Sequence, residues 1–155
     1  MKRLYRLCKR KYGSTPAMAF SGIGAKQNPG RWNSAEIPLV YAAESLSMAM
    51  LEMLVHLDES ILRLSYVFFE VEASTDLILK LPREDLPENW KIYPAPSSTK
   101  VTGDRWAGEM SSLILEVPST LSPIEQTFLI NPERPDFAKL TINGPHPISF
   151  DPRLK

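Results

Sequence analysis

Residues 63–73 restrict the fold of this chain more than any other segment. Leu64, Tyr66 and Phe68 alternate with Ser65, Val67 and Phe69, so from Tyr66 onward both sides of an extended strand are apolar. A strand of that kind belongs inside a sheet covered on both faces. Shorter strand patterns accompany it at residues 3–8, 39–43 after Pro38, 113–117 before Pro118, 128–130 and 148–150. Ser45 or Ser47 can cap a helix running to about Leu57, and residues 104–111 read as a second helical segment. Residues 13–30 read as a long connection carrying Gly13, Gly22, Gly24 and Gly30. A loop of that length in a small domain is functional or disordered. Pro82, Pro87, Pro94 and Pro96 divide the stretch after the long strand into loops. There is no internal repeat, heptad run or low-complexity segment. The pattern predicts one α+β domain over residues 1–155, built on a central mixed, mostly antiparallel sheet.

Charge and composition remove several classes of function. The chain has 155 residues, 43% of them hydrophobic, which is enough for a normal core. Eighteen basic residues balance eighteen acidic ones, so nothing drives the protein as a whole toward nucleic acid. The balance is uneven along the chain. Lys2, Arg3, Arg6, Lys9, Arg10 and Lys11 fall in the first dozen residues without an acid among them, leaving a net of minus six elsewhere. Such an arm could touch phosphate or an acidic partner, but the interspersed Leu4, Leu7 and Cys8 favour a strand with its charges in solvent. Cys8 is the only cysteine, and His56 and His146 have no ligand-like spacing, so neither a disulfide nor a metal site is expected. The basic start lacks the apolar core of a signal peptide, and no apolar run is long enough to span a bilayer. A cytoplasmic, metal-free protein without membrane attachment is the expectation.

Chemistry concentrates in two neighbouring elements. Gly30-Arg31-Trp32-Asn33 precedes Tyr41 in a short strand and Glu52 in an apolar helix. The guanidinium of Arg31 suits a diphosphate, because its planar fork offers paired donors and keeps its charge. Tyr41 offers a flat ring, and a carboxylate at Glu52 can stabilise positive charge developing on a sugar. The plainer readings are a surface cation–π pair for Arg31 and Trp32, and an exposed stripe for Glu52 with His56 one turn on. The helix of Glu52 reads apolar almost all round from Ser47 to Leu57, so burial on most sides is expected. A carboxylate there costs several kcal/mol, on the order of 2–7, unless paired or partly solvated. No structural duty is evident for the Arg31 side chain. Ser119 after Pro118 is either a turn residue or a hydroxyl aimed into a cleft, and Asn131-Pro132 reads as turn initiation. No serine-hydrolase elbow, Walker loop or Rossmann glycine fingerprint is present.

Taken in order, Phe20-Ser21-Gly22-Ile23-Gly24-Ala25, Gly30-Arg31-Trp32-Asn33-Ser34, Val40-Tyr41-Ala42-Ala43 and Leu51-Glu52 resemble the first half of the RES domain. Gly103, Trp106, Val117-Pro118-Ser119, Leu129-Ile130-Asn131-Pro132 and Pro135-Asp136-Phe137 resemble its second half. The family is named for an arginine, a glutamate and a serine, which fall on Arg31, Glu52 and Ser119, with its aromatic on Tyr41. The resemblance implies a fold similar to the ADP-ribosyltransferase catalytic domain of diphtheria-type toxins and a toxin of a bacterial toxin–antitoxin pair that breaks down NAD. It implies catalytic roles for Arg31, Glu52 and Tyr41, and substrate contacts from Arg31, Tyr41, Ser119, Trp32 and Asn131. NAD would be the substrate, with no further cofactor. The partner it implies is an antitoxin with a helix-turn-helix part, so that DNA is met only through that partner. A protein ADP-ribosyltransferase and a silent binding module, in which Arg31 and Glu52 merely pair, are the alternatives. The chain departs from the family pattern at Pro29 before Gly30, near Glu36 where the glycine after Asn-Ser is replaced, at Thr127 after Glu125, and at Arg134 before Pro135-Asp136.

Overall fold

The computed structural model describes residues 1–154. Seven strands form one sheet: β1 (Lys2–Lys9), β2 (Val40–Ala43), β3 (Tyr66–Ala73), β4 (Ile78–Lys80), β5 (Ile114–Pro118), β6 (Gln126–Ile130) and β7 (Thr141–Ile148). Their order across the sheet is β4-β5-β6-β2-β1-β3-β7. Only the β4–β5 pair is parallel among the described strands, and every other pair is antiparallel. The mixed, mostly antiparallel α+β architecture read from the sequence is the one found.

The long strand sits inside the sheet, as its two apolar faces require. Val67, Phe69, Val71 and Ala73 point to one side with Leu4, Val40, Ala42, Ile114, Phe128 and Ile130. That face is closed by Ala19 and Phe20 and by Leu77, Phe137 and Leu140. On the opposite face, Tyr66 and Phe68 join Leu7, Ala43, Met48, Ala49 and Phe150. A separate cluster of Trp32, Leu39, Trp106, Leu115, Val117 and Leu129 covers the other end of that same face. The second face therefore carries two apolar mounds. One is built on helix α3 (Leu46–Leu54), and the other on helix α5 (Ser97–Glu109) and the loop of Trp32. Tyr41 projects from β2 toward the second mound.

Several boundaries depart from the sequence reading for identifiable reasons. The 13–30 connection holds two short helices, α1 (Pro16–Ala19) and α2 (Ile23–Gln27), too brief to leave a periodic pattern. Thr15 caps the first, and Pro16 occupies its first turn. Ser45 does cap α3, its hydroxyl accepting from the Met48 amide at 3.1 Å. That helix is less buried than expected, because Leu51 and Val55 stand 42% and 52% exposed. A further short helix, α4 (Glu59–Leu62), follows it. Helix α5 begins at Ser97, well ahead of the segment that its composition suggested. Weak formers such as Ser97, Ser98 and Thr99 are carried by tertiary contacts there. The last strand is not residues 148–150 but β7, hidden in sequence by Asn143-Gly144-Pro145-His146-Pro147. Prolines are tolerated because β7 is an edge. Phe150 instead packs edge-on against Tyr66, ring centroids 5.1 Å apart.

The basic N-terminal arm is largely a strand, and three of its six charges, Lys2, Arg3 and Arg6, have polar partners. Lys2 pairs with Glu44 at 2.9 Å and Arg3 with Glu72 at 3.3 Å. Strand β1 meets β2 with Tyr5 opposite Ala43, and Arg6 bridges the widening gap beyond. Its Nη1 donates to the Tyr41 carbonyl at 3.1 Å and its Nε to the Ala19 carbonyl at 2.7 Å. Arg134 occupies the position where the sequence departs from the family, and it forms a double contact with Asp136, both distances 2.8 Å. The same guanidinium bonds to the Met110 carbonyl at the end of α5, tying that helix to the 135–139 turn. No described helix is long and apolar enough to cross a membrane.

Candidate active site

The loop of residues 30–34 is built around one buried amide. Asn33 is fully buried, and its Oδ1 accepts from the Gly30 amide at 2.9 Å and the Tyr41 hydroxyl at 2.7 Å. Its Nδ2 donates to the carbonyls of Ala25, Ser34 and Ile37 at 2.8, 3.2 and 3.2 Å. Tyr41 in turn accepts the Trp32 amide on its hydroxyl at 3.0 Å. The ring of Tyr41 lies so close to the loop that a Cβ at position 30 would stand 2.7 Å from the hydroxyl oxygen. Gly30 is therefore required by contact. Burial pushes the Tyr41 hydroxyl upward from its ordinary value, so it remains a donor. Glu36 has φ of 74° and donates its amide to the Lys26 carbonyl at 3.0 Å. A glycine would adopt that left-handed conformation without strain.

Helix α5 fastens the same loop from outside. The Thr99 hydroxyl donates to the Arg31 carbonyl at 2.7 Å, and Lys100 Nζ donates to the Gly30 carbonyl at 2.6 Å. Asp104 accepts the Ser34 amide at 2.9 Å. Gly103 lets the helix approach, since a Cβ there would fall 1.7 Å from the Trp32 carbonyl oxygen. Asn33, Thr99, Lys100 and Asp104 were absent from the residues expected at the site. Gly103 carried a signal as part of the family pattern, whereas nothing local distinguishes Thr99 or Lys100. The Arg31 side chain also has a structural duty that the sequence concealed. Its Nη1 donates to the carbonyls of Trp90 and Ile92 at 2.9 and 2.7 Å.

Glu52 lies on α3 facing this loop. Ser119 Oγ donates to its Oε1 at 3.3 Å, while accepting the Leu121 and Ser122 amides at 3.0 and 3.2 Å. Burial pushes the Glu52 carboxyl upward from its ordinary value, against opposing pulls from Ser119, His56 and Arg31. The charge of Arg31 is thus felt at both Glu52 and Tyr41. Of these four residues, Glu52 and Ser119 are in direct contact, and Tyr41 bonds to the loop that carries Arg31. The carboxylate is partly buried, so the exposed-stripe reading of Glu52 does not hold.

Three expected substrate contacts stand differently. The Trp32 side chain is 2% exposed within the apolar cluster, so its ring serves packing and only its backbone faces the site. Asn131 is likewise buried, accepting the Glu133 amide at 3.0 Å and donating to the Ala107 carbonyl at 3.2 Å. It closes the end of β6 opposite Leu113, whereas Ser119 follows the other end of the β5–β6 ladder, roughly 20 Å away by strand geometry. Asn131 is a turn and helix anchor. Ser119 has its hydroxyl committed to Glu52 and two amides at 3% exposure, which makes it the holder of the carboxylate. No group of three or more His, Cys, Asp or Glu among the described residues could hold a metal ion.

The comparisons with known proteins give the family and the fold on which these residues sit. The RES domain matches residues 3–151, and the chain belongs to the RES domain family. It is 40% identical to Toxin Res of Yersinia enterocolitica over 98% of this chain and 99% of that protein. It is 34% identical to a Prs ADP-ribosylating toxin of Sphingobium, covering 86% and 85% of the two. In structure it is similar to a chain of the Mycobacterium tuberculosis MbcT–MbcA toxin–antitoxin complex, with a TM-score of 0.68 and 22% identity over 99% of this chain and 86% of that one. That likeness shows the fold.

The raised Glu52 carboxyl has a consequence for stability. Its folded state holds the proton more tightly than the unfolded chain does. The resulting stabilisation is full below the ordinary glutamate value and is lost as pH rises through the folded value. At neutral pH the charged form is a burden that a neutral, equally sized side chain removes. Glu52→Gln is expected to melt above the wild type at pH 7, with the gap closing on acidification toward pH ~4. A melting temperature below wild type at pH 7 would show that the carboxylate is a structural asset instead.

Proposed function

We propose that this chain is the toxin of a toxin–antitoxin pair and acts by cleaving the nicotinamide–ribose bond of NAD. The observation that supports the reading is the Ser119-held Glu52, a carboxyl on which the charge of Arg31 bears as it does on Tyr41. The nicotinamide ring is already a cationic pyridinium while bonded to the ribose and departs as a neutral molecule, so no acid is needed. As the glycosidic bond breaks, its electron pair neutralises the pyridinium nitrogen and leaves an oxocarbenium-like ribose. A carboxylate at Glu52, held against the sugar by Ser119, stabilises that charge and orients the oxygen that attacks the anomeric carbon. With water as acceptor the product is ADP-ribose and a proton, and with phosphate it is the corresponding sugar phosphate. Arg31 anchors the diphosphate through the donors that Trp90 and Ile92 leave free, which fixes the reacting sugar. Tyr41 stands on the sheet where its ring can face nicotinamide. No cofactor besides the substrate is required.

Transfer of ADP-ribose to a protein is the second reading, favoured by the Sphingobium relative, whose name states that activity. Both readings use the same bond cleavage. Purified protein incubated with NAD is expected to release nicotinamide over many turnovers, with Arg31→Ala and Glu52→Gln at least ~100-fold slower. Arg31→Lys should rescue poorly, since an ammonium lacks the paired geometry. Intact NAD after incubation with the wild type would end the reading. Label from the adenylate half appearing on protein would select transfer over hydrolysis.

The proposed partner is a cognate antitoxin that covers the cleft, with a helix-turn-helix part through which any DNA contact is made. A carboxylate or C-terminus of that partner placed on Arg31 would compete with the diphosphate. Growth is expected to be arrested by this chain alone and restored by co-expressed partner. Full inhibition by a partner lacking the segment that reaches Arg31 would sink the cleft-blocking idea.

A further inference from the structure

We propose that Tyr93 is the platform on which the adenine ring of the dinucleotide stacks, an inference that rests on the NAD reading above. The 87–96 segment is held at both ends. The Trp90 ring packs against the cluster of Trp32, Trp106 and Leu115, and Pro96 leads directly into α5. Between them, the amides of Trp90 and Ile92 bond to the Pro87 and Asn89 carbonyls, each at 3.1 Å, and Ser98 reaches Asn89 at 2.6 Å. The carbonyl of Ile92 receives Arg31 Nη1 at 2.7 Å, which roots Tyr93 within about 5 Å of the guanidinium. Yet Tyr93 itself is 80% exposed and Ile92 55% exposed. A fixed backbone thus displays an uncovered aromatic ring beside the Arg31 guanidinium.

The chemistry of the substrate fits this placement. With the diphosphate on Arg31 and the nicotinamide ribose directed to Glu52, the adenosine leaves on the opposite side of the guanidinium. The carbonyls of Trp90 and Ile92 hold the guanidinium through Nη1, which sets Tyr93 beside the diphosphate anchor and within reach of that adenosine. Stacking between a base and an aromatic ring is a general source of affinity, and tyrosine supplies it at little conformational cost. The site would then prefer a dinucleotide to a mononucleotide bearing the same nicotinamide ribose.

The test compares wild type, Tyr93→Ala and Tyr93→Phe on NAD and on nicotinamide mononucleotide, which lacks the adenylate half. Binding of ADP-ribose by calorimetry is measured alongside. Tyr93→Ala is expected to raise KM for NAD about ten-fold and to weaken ADP-ribose equally, shrinking the preference for NAD over the mononucleotide by the same factor. Tyr93→Phe should keep that preference, because the ring and not the hydroxyl provides the face. An unchanged preference and unchanged ADP-ribose affinity in Tyr93→Ala would overturn the platform while leaving NAD cleavage standing. A wild type that neither releases nicotinamide nor binds ADP-ribose would overturn both.

Discussion

The buried amide of Asn33 connects three things that the site needs at once: a glycine turn, an arginine carried on it and a tyrosine hydroxyl from the neighbouring strand. Its oxygen takes two protons, from Gly30 and Tyr41, and its nitrogen serves three carbonyls. Each buried polar group it satisfies would cost about 1–3 kcal/mol if orphaned. The loop is therefore either formed as a whole or lost as a whole. Helix α5 then adds Thr99, Lys100 and Asp104 from outside, with Gly103 permitting the contact. Arg31 inherits a fixed position from a backbone that has no freedom left.

Glu52 is positioned by the opposite logic. Burial pushes its carboxyl upward, and the pulls of Ser119, His56 and Arg31 only partly offset that tendency. A site that holds a carboxylate under such tension gains most when positive charge develops beside it, as it does on a ribose losing nicotinamide. Preorganisation of Arg31 and electrostatic readiness of Glu52 come from separate mounds on one sheet face. The reacting bond would lie between them.

Much of this was legible in the chain. The two-faced strand placed β3 inside the sheet, Ser45 started α3, and the ordered family motifs singled out Glu52 and Ser119, which the fold brings into contact. What escaped was decided by tertiary contact. The prolines at 145 and 147 masked an edge strand, and weak helix formers hid the first turns of α5. Trp32 and Asn131 carry motif signals that look functional, yet the fold uses both as buried supports. Conversely, Asn33 stands in the motif without an evident role until its five bonds are seen, and the Arg31 contacts to Trp90 and Ile92 span about sixty residues.

The most direct test of this account is the rate of nicotinamide release by Asn33→Ala at saturating NAD, set beside its melting temperature. Removing the amide leaves the Gly30 amide without its acceptor and Tyr41 without its acceptor, so loop and strand lose their common anchor. The expected result is a folded protein that melts lower and turns over at least ~100-fold more slowly, since a small misplacement of a positioning group can cost that much. A variant that released nicotinamide within a factor of about two of the wild type would contradict the account, because the site would then not depend on that amide.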